Sequence, residues 1–355
     1  MVKSIYTLKL LVIFCTLCLF VQNVQALPFV TFDARTAALG GVSVTGGARN
    51  SAYYNPALAA VIEEDVDWIM MLPGAGEGTA DPNNLEDGLN KTLVEVEKDS
   101  VYKKQEIITI MAAIPSVNFA AAAYLSYQTY NSAKTDEGAA NPSDYASSLE
   151  HKAVNIIEQG VALANYIEDP NYVFSDLKFG VTIKVMLFET YGYTEDIQNA
   201  SIELDKSVRH KSGDLNFDLG IAKEYGVWKT GLVVKNLLKQ TTHYGDTDEV
   251  FTVGPQVRAG FAYSSRTAMF GVDLDLTRND EIVHNGETQY AALGWEIAVF
   301  RALRFRLGYK HNLVGDKLGT YSGGLGIMLG LLEINAAALG NKDGNAVFGD
   351  LSFRF

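Results

Sequence analysis

Cysteine is almost missing from this chain, and the two present, Cys15 and Cys18, both lie within the first 26 residues. From Leu27 onward no thiol chemistry and no disulfide is available. There is no run of about 18 apolar residues after that point, which excludes a helical membrane protein. Basic charge is also short: Lys and Arg number 29 against 42 Asp and Glu, a net charge of −13. Removal of Lys3 and Lys9 with the first 26 residues takes −13 to −15. A chain of that sign, without a basic patch, is repelled by phosphate backbones, so nucleic acid is not a partner. None of the five histidines stands at metal-ligand spacing to another, and no HExxH, GxSxG or phosphate loop occurs. His243 beside Asp246 and Asp248 is the one candidate for loop chemistry, and one His among loop acids is more simply surface. The chain reads as a non-enzyme with no cofactor and no metal.

What is present is alternation. Residues 1–26 read as a signal peptide, with Lys3 and Lys9 before an apolar stretch from Leu10 to Val21 and a small-residue site at Val24-Gln25-Ala26. Beyond it, period-two patterning recurs to the end. Leu215, Phe217, Leu219 and Ile221 oppose Asp214, Asn216 and Asp218. Phe270, Val272, Leu274 and Leu276 oppose Asp273 and Asp275; Leu303, Phe305, Leu307 and Tyr309 oppose Arg304, Arg306 and Lys310. Leu332, Ile334, Ala336 and Ala338 oppose Glu333 and Asn335, and Val347, Leu351, Phe353 and Phe355 oppose Asp350, Ser352 and Arg354.

About fourteen strands are predicted, starting with 65–72, 106–114, 117–130, 152–167 and 173–194. The next are 211–225, 228–239, 253–264, 267–277 and 288–300, and the last four are 302–313, 319–330, 331–340 and 346–355. The fourth could equally be helical, because its apolar residues keep neither period. Connections after even-numbered strands are short, such as Gly226-Val227; those after odd ones, such as 73–105 and 240–252, are longer. A soluble sandwich has no reason to sort its loops by parity, whereas an outer-membrane barrel has short periplasmic turns and longer outer loops. The fold expected is therefore all-β: a transmembrane outer-membrane barrel of about 14 antiparallel strands, with both chain ends periplasmic.

In such a barrel the charged face points inward, because a charge against lipid at mid-depth costs about 2–4 kcal/mol. The expected lumen charges include Asp273, Asp275, Glu296, Arg304, Arg306, Lys310, Glu333, Asp350 and Arg354. They are either an ion network holding the interior together or a charged pathway for a polar solute. The terminal aromatics Phe353 and Phe355 are the expected assembly signal, which makes the barrel-assembly machinery and outer-membrane lipid the expected partners.

The segment from Phe32 to Ala60 is crowded with Gly and Ala and holds Asn55-Pro56-Ala57. Asn before Pro reads as an N-cap followed by a first helical residue. With Gly40-Gly41 ahead of it, this segment resembles the N-terminal hatch of the long-chain fatty-acid transporter (FadL-like) outer-membrane barrels. Through the strands from Phe270 to Phe355 the chain is also similar to the conjugal-transfer TraF-like group. The resemblance implies domains at 1–26 (signal peptide), 27–62 (a small helical hatch in the lumen) and 63–355 (the barrel). It places Gly40, Gly41, Asn55, Pro56 and Ala57 in the hatch. It implies a hatch-gated transporter or channel for a small-molecule cargo, hydrophobic on the family's pattern. The alternative is a structural or assembly component of an outer-membrane machinery such as conjugal transfer. The interior charges are more numerous than a hydrophobic path calls for.

Overall fold

The computed structural model describes residues 29–45, 51–60, 69–80, 101–114, 120–135, 148–167, 176–196, 209–245, 249–280, 286–300, 302–315, 318–342 and 344–354. The expected signal peptide, the turn expected at Pro115-Ser116, and Asp246, Asp248, His284 and Phe355 lie outside them.

The described chain starts with a short helix, α1 (Ala34–Ala38), followed by two 3-10 turns, Ser51–Tyr53 and Pro56–Ala59. Asp33 begins α1 by accepting the Thr36 N–H at 2.8 Å, the usual N-cap service. Gly40 and Gly41 end it with φ of 69° and 95°, values a side chain disfavours.

The strands follow as β1 (Ile69–Ala80), β2 (Val101–Ile114), β3 (Ala120–Thr135), β4 (Ser148–Tyr166), β5 (Lys178–Asp196), β6 (Arg209–Tyr225) and β7 (Trp228–Lys235). A ribbon of β8 (Gln240–His243) and β9 (Val250–Val253) comes next, then β10 (Gln256–Ser264) and β11 (Ala268–Asp275). A second ribbon, β12 (Asn279–Asp280) and β13 (Glu287–Thr288), precedes β14 (Tyr290–Val299), β15 (Leu303–Asn312), β16 (Gly319–Leu329), β17 (Leu332–Gly340) and β18 (Gly344–Arg354). Leaving out the two ribbons, each strand pairs antiparallel with the next. β1 pairs with both β18 and β2, which closes a ring of fourteen strands.

Alternation sets the two faces of the wall. Ile108, Leu125, Ile157, Ile183, Leu215, Phe270, Trp295, Phe305 and Leu351 are exposed on the outside, while Thr109, Ser126, Glu158, Lys184, Asn216, Asp275, Arg306 and Asp350 are buried within. A soluble sandwich or closed sheet would do the reverse, burying the apolar face. Trp228 stacks on Phe261 at 5.2 Å on that outer face, beside the tight turn Gly226-Val227.

Two expectations need correction, and one left open between strand and helix resolves as strand. The first strand, expected at 65–72, is described from Ile69 and runs on to Ala80, so the Pro73-Gly74 pair assigned to a loop lies within β1. The register shifts at this point against both neighbours, between Leu72 and Ala75 and between Met71 and Gly74. A bulge is where a strand tolerates a residue with no N–H. The stretch 152–167 is strand, not helix, running from Ser148 to Tyr166. Its inner face carries Val154, Ile156, Ala162 and Ala164, all buried, so both faces are apolar and the period is blurred. Finally, the long connection 240–252 is not plain loop. Ribbon β8–β9 turns inward, and Tyr244, Phe251 and Val253 pack on Tyr130, Val154, Ile156, Met186 and Phe188 of the inner wall. Among the described residues no helix is long and apolar enough to cross a membrane.

Candidate functional site

The inside of the ring is where the charged face and the N-terminal segment meet. Contact begins with glycine. Strands β5, β6, β7, β14 and β15 each present an inward glycine to the segment, and Gly180 pairs with Gly220 and Gly294 with Gly308 across neighbouring strands. A Cβ on Gly180 would run into the Pro56 backbone, on Gly220 into Asn55, on Gly231 into the Val44 carbonyl, on Gly294 into Leu39, and on Gly308 into the Gly40 amide. These bare positions let the N-terminal backbone lie directly on the wall. Gly40 in turn touches the Tyr309 backbone, where a Cβ would sit 2.8 Å from the nitrogen.

Hydrogen bonds fix the segment at both ends. Asn55 accepts the Ala57 N–H at 3.1 Å, capping the turn that starts at Pro56. Its amide donates to the Val44 carbonyl at 3.0 Å and to the Ile221 carbonyl of β6 at 3.1 Å. One buried side chain thus joins the two halves of the segment to the wall. Tyr54 donates to Asp33 at 2.6 Å and accepts the Phe32 N–H at 3.1 Å. Burial, together with Asp33, pushes the Tyr54 phenol well above its usual value, so it remains a donor. The wall supplies acceptors for free N–H groups of the segment: Asp350 takes Ala34 at 2.8 Å, and Asp273 takes Ser43 at 2.7 Å and Val44 at 3.0 Å.

The expected lumen charges fall into connected sets. Glu296 receives Arg35 at 2.9 Å, Arg306 at 2.7 Å and Arg304 at 3.3 Å. Burial works against the Arg35 charge, and Glu296 beside it outweighs that, holding the guanidinium above its ordinary value. Arg306 also donates to Asn335 at 2.7 Å and lies 3.6 Å from Glu333; Asn335 donates to Asp350 at 2.8 Å. Asp275 pairs with Arg258 at 2.5 Å, and the Lys310 ammonium sits 4.5 Å over the Tyr290 ring. The side chain of Arg354 lies outside the described residues. Phe353 is half-buried at the end of the wall, and Phe355 is not among the described residues.

A further set lies across β3 to β7. Lys184 bridges Asp218 at 2.9 Å and Glu158 at 3.2 Å, Tyr124 donates to Glu158 at 2.6 Å, and Lys235 donates to the Tyr53 carbonyl at 2.9 Å with its ammonium 4.0 Å over the Tyr53 ring. Arg35 and Lys235, the residues that tie segment to wall on either side, were not singled out in the sequence. Nor were these glycines, whose signal is present: a glycine on the charged rather than the apolar face of its strand. Above Tyr53 a cavity of about 20 Å³ remains, lined by Gln128, Glu158, Lys184 and Lys235, enough for about one water. His243 is exposed on β8, and Asp246 and Asp248 lie outside the described residues. No cluster of three or more metal-ligating side chains occurs among the described residues.

A fourteen-stranded antiparallel wall, apolar outside and charged within, with its N-terminal segment seated on the inner face, defines the FadL-like class of fold. Structures of that class match along almost the whole chain. A Pseudomonas aeruginosa FadL homologue is 12% identical with a TM-score of 0.61, over 92% of this chain and 98% of that one. The Pseudomonas putida toluene transporter TodX is 11% identical with a TM-score of 0.60, over 91% and 98%. The Ralstonia pickettii toluene transporter TbuX is 10% identical with a TM-score of 0.59, over 94% and 99%. At these identities the likeness is one of fold. Residues 89–275 match the family described as "F plasmid transfer operon, TraF, protein", and the chain belongs to that family. The match lies almost wholly before the strands from Phe270 to Phe355 that carry the resemblance in sequence. No curated protein matches the chain.

Proposed function

We propose that this protein is an outer-membrane barrel whose N-terminal segment is a hatch, gating the passage of small molecules. The observation that carries the reading is the seating of residues 32–45 and 51–60 on the inner wall, in part on bare glycines. A permanent core would be expected to interdigitate side chains at close packing. Side chains do pack here, Phe32, Tyr53 and Tyr54 against Ile107, Met111 and Tyr124, but on five strands the contact is with bare glycine, where no side chains interlock. The apolar outer face suits lipid, and the inward charges have partners in one another or in the segment. On this reading the ion sets hold the hatch shut, and passage requires their rearrangement. The toluene transporters of like fold support a small hydrophobic cargo, whereas the charged interior favours a molecule with polar groups as well.

Conductance of the refolded protein in planar bilayers, with and without residues 27–62, tests this directly. A rise on deletion, with the barrel intact, supports the hatch. Unchanged conductance removes it. Membership of a plasmid-transfer family supports a second reading, an assembly component without transport. In that case deletion leaves conductance unchanged and abolishes binding to a partner.

A further inference from the structure

Around the tight turn Gly226-Val227 the outer face of the wall changes character. Tyr225, Trp228 and Tyr263 stand directly opposite one another across β6, β7 and β10. One pleat further from the turn, Lys223, Thr230 and Phe261 form the next row. Trp228 meets Tyr263 edge on at 5.2 Å, besides stacking on Phe261. Lys223 shares its side of β6 with Tyr225, Ile221 and Leu215, so it faces out. Other charged strand residues at this end of the wall, Lys178, Glu224, Lys229, Glu296 and Arg304, pair among themselves inside the ring. The Lys223 ammonium is drawn back toward the turn and lies 4.7 Å over the Tyr225 ring. A lysine with its stem on apolar surface and its charge at the water boundary takes this posture. At the neighbouring turn, joined to the first by the Ser264 N–H donating to the Val227 carbonyl at 2.7 Å, Arg266 is exposed. Around these turns the described charges are Lys178, Lys223, Lys229 and Arg266 against Asp176 and Glu224, in a chain of net charge −13.

We infer that this patch binds the headgroup phosphate of an anionic phospholipid, phosphatidylglycerol being the simplest, in the lipid layer at the short-turn end of the barrel. Aromatic side chains on a barrel's outer face collect at headgroup depth, so the row Tyr225, Trp228 and Tyr263 marks where the lipid surface crosses the wall. A girdle needs aromatics alone. Lys223 adds a positive charge at the depth of the phosphates, and a cation near an anionic lipid surface attracts it. The local excess of base over acid selects a headgroup of net negative charge over a zwitterionic one. The inference rests on the reading of the outer face as lipid-facing, and it stands without the hatch.

The chain has three tryptophans, Trp68, Trp228 and Trp295. Trp68→Phe with Trp295→Phe leaves Trp228 as a reporter at the patch. Trp68→Phe with Trp228→Phe leaves Trp295, exposed on the same outer face with Phe270 and Leu307 opposite it. Each full-length variant is refolded into phosphatidylcholine vesicles containing phosphatidylglycerol or phosphatidylcholine with brominated chains, and quenching gives the relative affinity of the two lipids at each tryptophan. Phosphatidylglycerol should be preferred about fivefold at Trp228 and not at Trp295. Lys223→Gln, or Lys223→Met should the first not fold, should bring the Trp228 ratio to one. Arg209→Gln removes the same charge from the exposed far end of β6 and should leave the ratio unchanged. A ratio of one at Trp228 in the chain with Lys223, or a preference that survives its loss, overturns the site. Equal loss from Arg209→Gln overturns it in favour of general charge attraction. Quenching of Trp295 with no preference at Trp228 removes this site and leaves the lipid-facing wall; no quenching of Trp295 by either lipid removes the wall itself.

Discussion

Ala34 gives its backbone N–H to Asp350 at 2.8 Å, across 316 positions of sequence. The first residue of α1 is thereby tied to the last strand of the ring, which also pairs with β1. Asp350 holds Asn335 as well, and through it Arg306 and Glu296. Any motion of α1 therefore perturbs hydrogen bonds on β18, β17, β15 and β14 together. The seam where the ring closes and the seat of the N-terminal segment share one polar chain.

Facing along β18 follows from Leu351, exposed outside, and Ser352, 7% exposed inside. Leu351→Arg puts a charge on the outer face and should lower stability by about 2–4 kcal/mol if that position lies at mid-depth in lipid. Ser352→Arg points to the polar interior, opposite Glu333 on β17, and should fold to a higher yield. The measurement is the folded fraction in lipid vesicles against urea; equal loss from both would contradict the assigned face.

Glu296 is one carboxylate among three guanidiniums. Removing the shared anion leaves buried cations unpaired, which typically costs about 3–5 kcal/mol. Glu296→Gln should therefore shift urea unfolding strongly, and more than Arg35→Met, which leaves Glu296 with two partners. A larger loss from Arg35→Met would show that the segment, not the carboxylate, holds this cluster together.

How far these features could be read from sequence depended on what each strand face touches. β11, β15, β17 and β18 meet lipid-like apolar patterning on one side and charge on the other, so Phe270 against Asp273 or Leu351 against Asp350 gave their facing away. β4 did not, because Ile156 and Ala162 point inward yet pack on the ribbon and on the N-terminal segment. β1 was misplaced because Pro73-Gly74 reads locally as a turn, and only its two neighbours show that a bulge absorbs it. The Asn55-Pro56 start was legible from cap chemistry alone. The partners of Asn55, Val44 and Ile221, were not, since a side chain bonding two distant carbonyls leaves no mark in local sequence.

Asn55→Ala removes the cap, worth about 1 kcal/mol, and with it both cross-links to Val44 and Ile221. That leaves the wall pairing untouched. Barrel formation should persist, judged by heat-modifiable migration on gels, while bilayer conductance rises. If conductance stays at the wild-type level in a folded barrel, Asn55 is not what holds the segment in place.

The bare inner positions give the sharpest separation between seat and wall. Gly308→Ala places a methyl against the Gly40 amide, and Gly180→Ala places one against the Pro56 backbone. Backbone on backbone cannot yield as a flexible side chain does, so the segment must lift off the wall. The strands themselves gain by the change, because alanine loses less conformational freedom on folding than glycine. Gly323→Ala is the control: on β16, its nearest neighbours would be 3.7 Å away, ordinary contact. Both seat variants should fold into barrels with raised conductance and faster protease cleavage within residues 32–60, and Gly323→Ala should match the wild type. Cleavage and conductance unchanged in Gly308→Ala and Gly180→Ala would mean that the segment rests on the wall without being held by it.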